Sequence, residues 1–222
     1  MLIYFFICLY IICFYNERIY VCDNFLAEVE AVIASENWPD VSLASFPSRC
    51  GKPEVTWQEI DELQFKKQQP QKQQSAQCNH KLIFGRACIA NLPTPESDSS
   101  KTKIIKLEQC FHLISGTQIV NQAISSGAYL ISPGWLKNWR QHIEDLGFKI
   151  KKDFKDTKDF NDETTETFFK DFAKELVLLD TGIDSLAKQH LQDFQSLTKL
   201  PARIISVGLD HIQLTLTKQV LK

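Results

Sequence analysis

The stretch from Ile104 to Phe148, IIKLEQCFHLISGTQIVNQAISSGAYLISPGWLKNWRQHIEDLGF, constrains the fold of this chain more than any other. It reads as strand, turn, helix, short strand, turn, helix. The first strand begins with Ile104 to Leu107 and is expected to end on Cys110 and His112. Gly116 and Thr117 open a helix to Ala123, and Gly127 closes it in the left-handed conformation that glycine adopts most easily. Ala128 to Ile131 is the next strand. The turn Ser132-Pro133-Gly134-Trp135 then leads into an amphipathic helix from Trp135 to Leu146, stopped by Gly147. A helix placed between two short apolar strands is the crossover that parallel pairing needs.

The same unit recurs on both sides. Ile19 to Cys22 suits a buried strand. Leu26, Val29, Ala31, Val32 and Ile33 follow at helical spacing behind Asp23 and Asn24, either of which can cap the helix. Val41 to Phe46 is a strand ended by Pro47, and Ser48 to Gly51 is a turn. Trp57, Ile60 and Leu63 share one face of a helix behind Thr56, with Glu59 placed to complete a capping box. Lys81 to Phe84, Leu176 to Leu179 and Ala202 to Val207 are further strands, and Leu186 to Leu197 and the C-terminal stretch to Lys222 are helices. This alternation predicts an α/β fold, three-layer α/β/α with a largely parallel sheet, in one domain over residues 19–222.

Two segments stand outside that pattern. Gln64 to His80 is rich in glutamine and reads as an exposed insertion loop (64–80), in which Cys78 and His80 are incidental rather than ligands. The apolar opening, MLIYFFICLYIICFY within segment 1–18, is shorter than the ~20 residues of a spanning helix. With no basic residue before it and no small-residue cleavage site after it, it is expected to be a misassigned start or a buried strand rather than a membrane anchor. A net charge of -2 gives no field that would hold nucleic acid. The lysines between Lys149 and Lys170 are matched by acidic residues, so that stretch reads as a solvated face. Seven cysteines without a CxxC pair, in a chain of 222 residues, are expected to be reduced thiols in a cytoplasmic protein.

Parallel sheets deliver their strand-to-helix turns to one edge, and ligands bind there. In this chain those turns carry Cys22 with Asp23, Cys50, Cys88, Cys110 with His112, Asp180, and Asp210 with His211. Thiolate and imidazole together suit zinc, and thiolates alone suit an iron-sulfur cluster. Cys50, Cys88, Cys110, His112 and His211 are therefore candidate metal ligands. Gly116 and Thr117 offer free backbone N–H groups to an anion, and Asp180 and Asp210 either contact a bound cofactor or cap the helices after them. The alternative is a thiol- or metal-dependent transferase with Cys110 as nucleophile and His112 or His211 as base. Set against both, a single cysteine at a strand end is commonly a small buried hydrophobe.

The ordered motifs Arg49-Cys50-Gly51, Gly85 with Cys88, Cys110 with Gly116, Ser132-Pro133-Gly134-Trp135, Leu179-Asp180-Thr181-Gly182 and Leu209-Asp210-His211 resemble the bacterial and archaeal family called domain of unknown function 1638. The resemblance runs from about Tyr20 to the C-terminus. Members of that family occur alone, near corrinoid-dependent methyl-transfer genes, or fused to PAS-type sensor modules. The resemblance implies a ligand- or cofactor-binding α/β module whose activity is not established; taken with the candidate ligands above, the expected occupant is a metal or a metal-containing small molecule, zinc, iron-sulfur or corrinoid-linked. This chain departs from the family at Ile89-Ala90-Asn91, where a glycine-rich turn is expected.

Overall fold

A computed structural model describes residues 17–66, 80–93, 101–148 and 162–221. The expectations for the apolar opening, for most of the insertion loop with Cys78, and for 149–161 lie outside those residues. Four strands, β1 (Glu17–Cys22), β2 (Val41–Phe46), β3 (His80–Gly85) and β4 (Thr102–Lys106), form a parallel sheet in the order β2-β1-β3-β4. Three more, β5 (Ala128–Ile131), β6 (Glu175–Asp180) and β7 (Ala202–Ser206), form a second parallel sheet in sequential order. The helices are α1 (Leu26–Ser35), α2 (Trp57–Lys66), α3 (Thr117–Ser125), α4 (Pro133–Lys137), α5 (Trp139–Asp145), α6 (Asp162–Phe172), α7 (Ala187–Thr198) and α8 (Asp210–Val220).

The parallel α/β class follows from the alternation of elements, but the strands divide between two sheets instead of joining one. Strand alternation decides how the layers stack. Ile19 and Val21 of β1 and Leu82 and Phe84 of β3 face one core together with Val177 and Leu179 of β6. Val29 and Val32 of α1, Val120 and Ala123 of α3, and Ile212 and Leu216 of α8 fill that same core. These three helices are therefore shared between the sheets.

On the outer side of the first sheet, Tyr20, Ala44, Phe46 and Ile83 pack with Ile60 of α2. On the outer side of the second, Ile131, Leu176 and Leu178 pack with Trp135, Trp139, Phe169, Leu191 and Phe194. The result is helix, sheet, helix, sheet, helix. Each fully buried aliphatic side chain contributes ~1.5–3 kcal/mol, and strands buried on both faces explain the unbroken apolar run Leu176 to Leu179.

Two expected boundaries move. The strand predicted to reach Cys110 and His112 stops at Lys106, and Cys110–Leu113 is a 3-10 turn. The single helix expected from Trp135 to Leu146 is divided at Asn138, whose backbone (φ -117°, ψ 21°) leaves the helical region. Trp135 and Trp139, on either side of the break, are buried in the same core.

Candidate functional site

The carboxyl ends of both sheets meet across the start of α1. Gly134 makes that approach feasible: a Cβ there would lie 2.4 Å from the carbonyl oxygen of Asn24, so only glycine fits. Ser132 fastens the junction. Its hydroxyl donates to the Asn24 carbonyl and accepts from the Trp135 backbone N–H, each at 3.2 Å, and so caps α4 while tying it to the end of β1. The turn Ser132-Pro133-Gly134-Trp135 is thus a clasp between the sheets.

Cys22, Cys50, Cys88 and Cys110 are free thiols. Cys22 closes β1, Cys50 sits in the loop after β2, and Cys88 and Cys110 lie in the 3-10 turns after β3 and β4. Burial pushes Cys22 up to about 12, and negative charge on Cys50, Cys88 and Cys110 raises it further. Burial likewise pushes Cys110 up to about 12, with Cys88 and Cys50 adding to the effect and Arg86 opposing it. Cys88 is raised by burial first, and by Cys50 and Glu54 among its charged neighbours. Each thiol lies near enough to the others for charge on one to be felt by the next. Cys50 is exposed and accepts a contact from the Ser48 hydroxyl at 3.5 Å.

The histidines do not complete a ligand set. His211 donates from Nε2 to the carbonyl oxygen of His112 at 3.0 Å, which occupies that nitrogen and holds the start of α8 against the Cys110 turn. Nε2 of His112 is buried without a hydrogen-bond partner. Among the described residues, no group of three or more His, Cys, Asp or Glu side chains is arranged to hold a metal ion. In donor chemistry the thiols suit a soft metal; in this conformation they do not converge as a finished centre. The proton held by Cys110 also counts against its use as a nucleophile, because the thiolate is the reactive form.

The remaining expected residues take structural positions. Gly116 is the N-cap of α3 and Thr117 its first residue, with open space beside Gly116 and no side chain capping the helix. Ser115, immediately before them, has a buried hydroxyl without a partner. Asp180 accepts from the Gly182 backbone N–H at 2.9 Å and so shapes a turn, well before α7 begins. Asp210 is the first residue of α8, where its charge favours the helix dipole, while Leu209 occupies the cap position. Ile89 is fully buried beneath Gly85, where a Cβ would meet it at 2.9 Å, so the departure from a glycine-rich turn fills the core.

Sequence reasoning took Asn24 only as a cap for α1, a position Phe25 holds instead, and did not single out Glu28. Asn24 and Glu28 are 4% and 1% exposed. Asn24 donates from Nδ2 to the Ser48 hydroxyl at 3.3 Å, and Glu28 accepts from the Thr181 hydroxyl at 3.1 Å. Burial raises the pKa of Glu28, and the Asp184 carboxylate adds to that rise. The signal was their spacing of four residues, which puts a polar pair on one side of the helix start.

No helix among the described residues is long and apolar enough to cross a membrane. No curated protein and no solved structure matches the chain. A family model matches residues 59–216, so Arg49-Cys50-Gly51 falls outside the matched stretch and the motifs from Gly85 to His211 fall within it. With that match covering most of its length, the chain belongs to the family described as Protein of unknown function (DUF1638).

Proposed function

We propose that this protein is a binding module that takes a soft metal, or a small molecule carrying one, on the thiols at the carboxyl edge of its first sheet. The observation that carries the reading is placement: Cys22 at the end of β1, Cys50 in the loop after β2, and Cys88 and Cys110 in the 3-10 turns after β3 and β4 are free thiols at the strand ends of one parallel sheet, near enough that charge on one opposes charge on the next. A cation among them would reverse that repulsion and release their protons. Cys50, exposed on the loop after β2, is the ligand best able to close on the metal. Cys22 joins Cys50, Cys88 and Cys110 as a candidate ligand, with Nε2 of His112 a further donor if its ring turns toward them. The N-terminus of α3 at Gly116 and Thr117, beside the unpartnered Ser115 hydroxyl, would receive an anionic group of the same ligand.

Protein purified without oxygen and titrated with Co(II) tests this directly. A thiolate-to-cobalt charge-transfer band saturating at one equivalent, and weakened in Cys110→Ser, is the expected result. Absence of the band, together with no zinc or iron by elemental analysis, overturns the reading. The transferase alternative is less favoured because it needs an ionised Cys110 near neutral pH, and burial opposes that.

A further inference from the structure

We infer that Asn24 and Glu28 form a recognition site for an organic cation with N–H donors, a guanidinium or primary ammonium group, where the two sheets meet. The inference does not rest on the thiol reading. Oδ1 of Asn24 and Oε2 of Glu28 are both buried acceptors without a hydrogen-bond partner. Such atoms are costly to bury unsatisfied, at ~1–3 kcal/mol each, and native structures leave few of them.

The other polar atoms of both side chains are committed and fix where they sit. Asn24 Nδ2 is held by Ser48 of the loop after β2, and Glu28 Oε1 by Thr181 of the loop after β6. The unpartnered atoms therefore belong to side chains anchored at the carboxyl ends of strands from both sheets. That is where an α/β protein places its ligand.

Charge decides which ligand class fits. The charged neighbour that Glu28 feels is the Asp184 carboxylate, so the site has an excess of negative charge and of acceptors. A neutral hydroxyl or amide would leave that negative charge unbalanced. A guanidinium carries several donors in a fixed fork and a charge that favours ionised Glu28. On binding, Glu28 accepts an N–H bond at Oε2, while Asn24 Oδ1 accepts a second.

The test titrates the full chain, with chelator present to remove any metal, with n-butylguanidinium and with its neutral isostere n-butylurea. Calorimetry reads the affinity of each. Saturable binding of the guanidinium, with the urea bound about tenfold or more weakly, is expected. Glu28→Gln, which keeps the Thr181 bond, should reduce guanidinium affinity by about tenfold. The exposed Glu30→Gln on the same helix should leave it unchanged. If Glu28→Gln does not fold, Asn24→Ala supplies the same comparison. No saturable binding, equal binding of the urea, or affinity unchanged in the folded variant would each overturn the inference.

Discussion

Adding one methyl group at Gly134 would place a carbon 2.4 Å from the carbonyl oxygen of Asn24 and 2.8 Å from its carbonyl carbon. Both are backbone atoms, so relief requires α4 and the end of β1 to separate. Gly134→Ala is expected to lower stability by ~1–3 kcal/mol, read as a fall in urea midpoint; an unchanged midpoint would mean the clasp is looser than this contact. The thiols yield a second expectation. At pH 8, a thiol with its pKa near 12 is ionised in only about one molecule in ten thousand. Iodoacetamide should thus label exposed Cys50 before Cys22 or Cys110, with peptide mapping to assign each site. Early labelling of Cys110 would favour the nucleophile reading over the metal-binding one. Cys50, Cys88 and Cys110 were legible in the sequence because turn signals mark strand ends locally. Glu28 was not, since a carboxylate buried between two sheets looks in sequence like any acidic residue of a surface helix.

At the scale of elements, short-range chemistry was the most legible. Thr56 and Glu59 form the capping box expected from their spacing: the Thr56 N–H donates to Glu59 Oε2 at 2.9 Å, and the Glu59 N–H donates to Thr56 Oγ1 at 3.3 Å. Thr56→Ala should cost about 1 kcal/mol by urea denaturation, with Thr56→Ser restoring most of it; equal losses in both would point to the methyl group, not the cap. The helix from Trp135 was less legible, because apolar periodicity continues through Asn138 while the backbone does not. Its two tryptophans, on either side of the break, both pack against Phe194 at ring distances of 5.2 and 5.4 Å. Pairing of strands lay further still from the sequence. The alternation shows that β4 and β5 need a crossover, yet only the burial of Val120 and Ala123 between both sheets shows that α3 carries the chain from one sheet to the other.

For the molecule as a whole, the two-sheet arrangement buries carboxyl groups that would otherwise be solvated, and this has a signature in stability against pH. Glu17, at the amino end of β1 and 7% exposed, is pushed by burial from 4.5 to about 7, with Lys103 acting against the rise. A carboxyl whose folded pKa lies above its unfolded value binds more protons when folded. Stability is then greatest below the unfolded pKa and falls as pH climbs toward the folded one. Glu28 acts in the same direction. His142 opposes them, because burial lowers its pKa and stability is lost as pH falls below the ordinary histidine range. Comparing wild type with Glu17→Gln removes the histidine contribution, which both proteins share. The variant should gain on wild type steadily from pH 4.5 to about 7 and hold a constant lead above it. The lead should be on the order of 1–2 kcal/mol after solvent screening. Urea midpoints at half-unit pH steps measure it, and a difference independent of pH would show that Glu17 ionises freely in the folded protein.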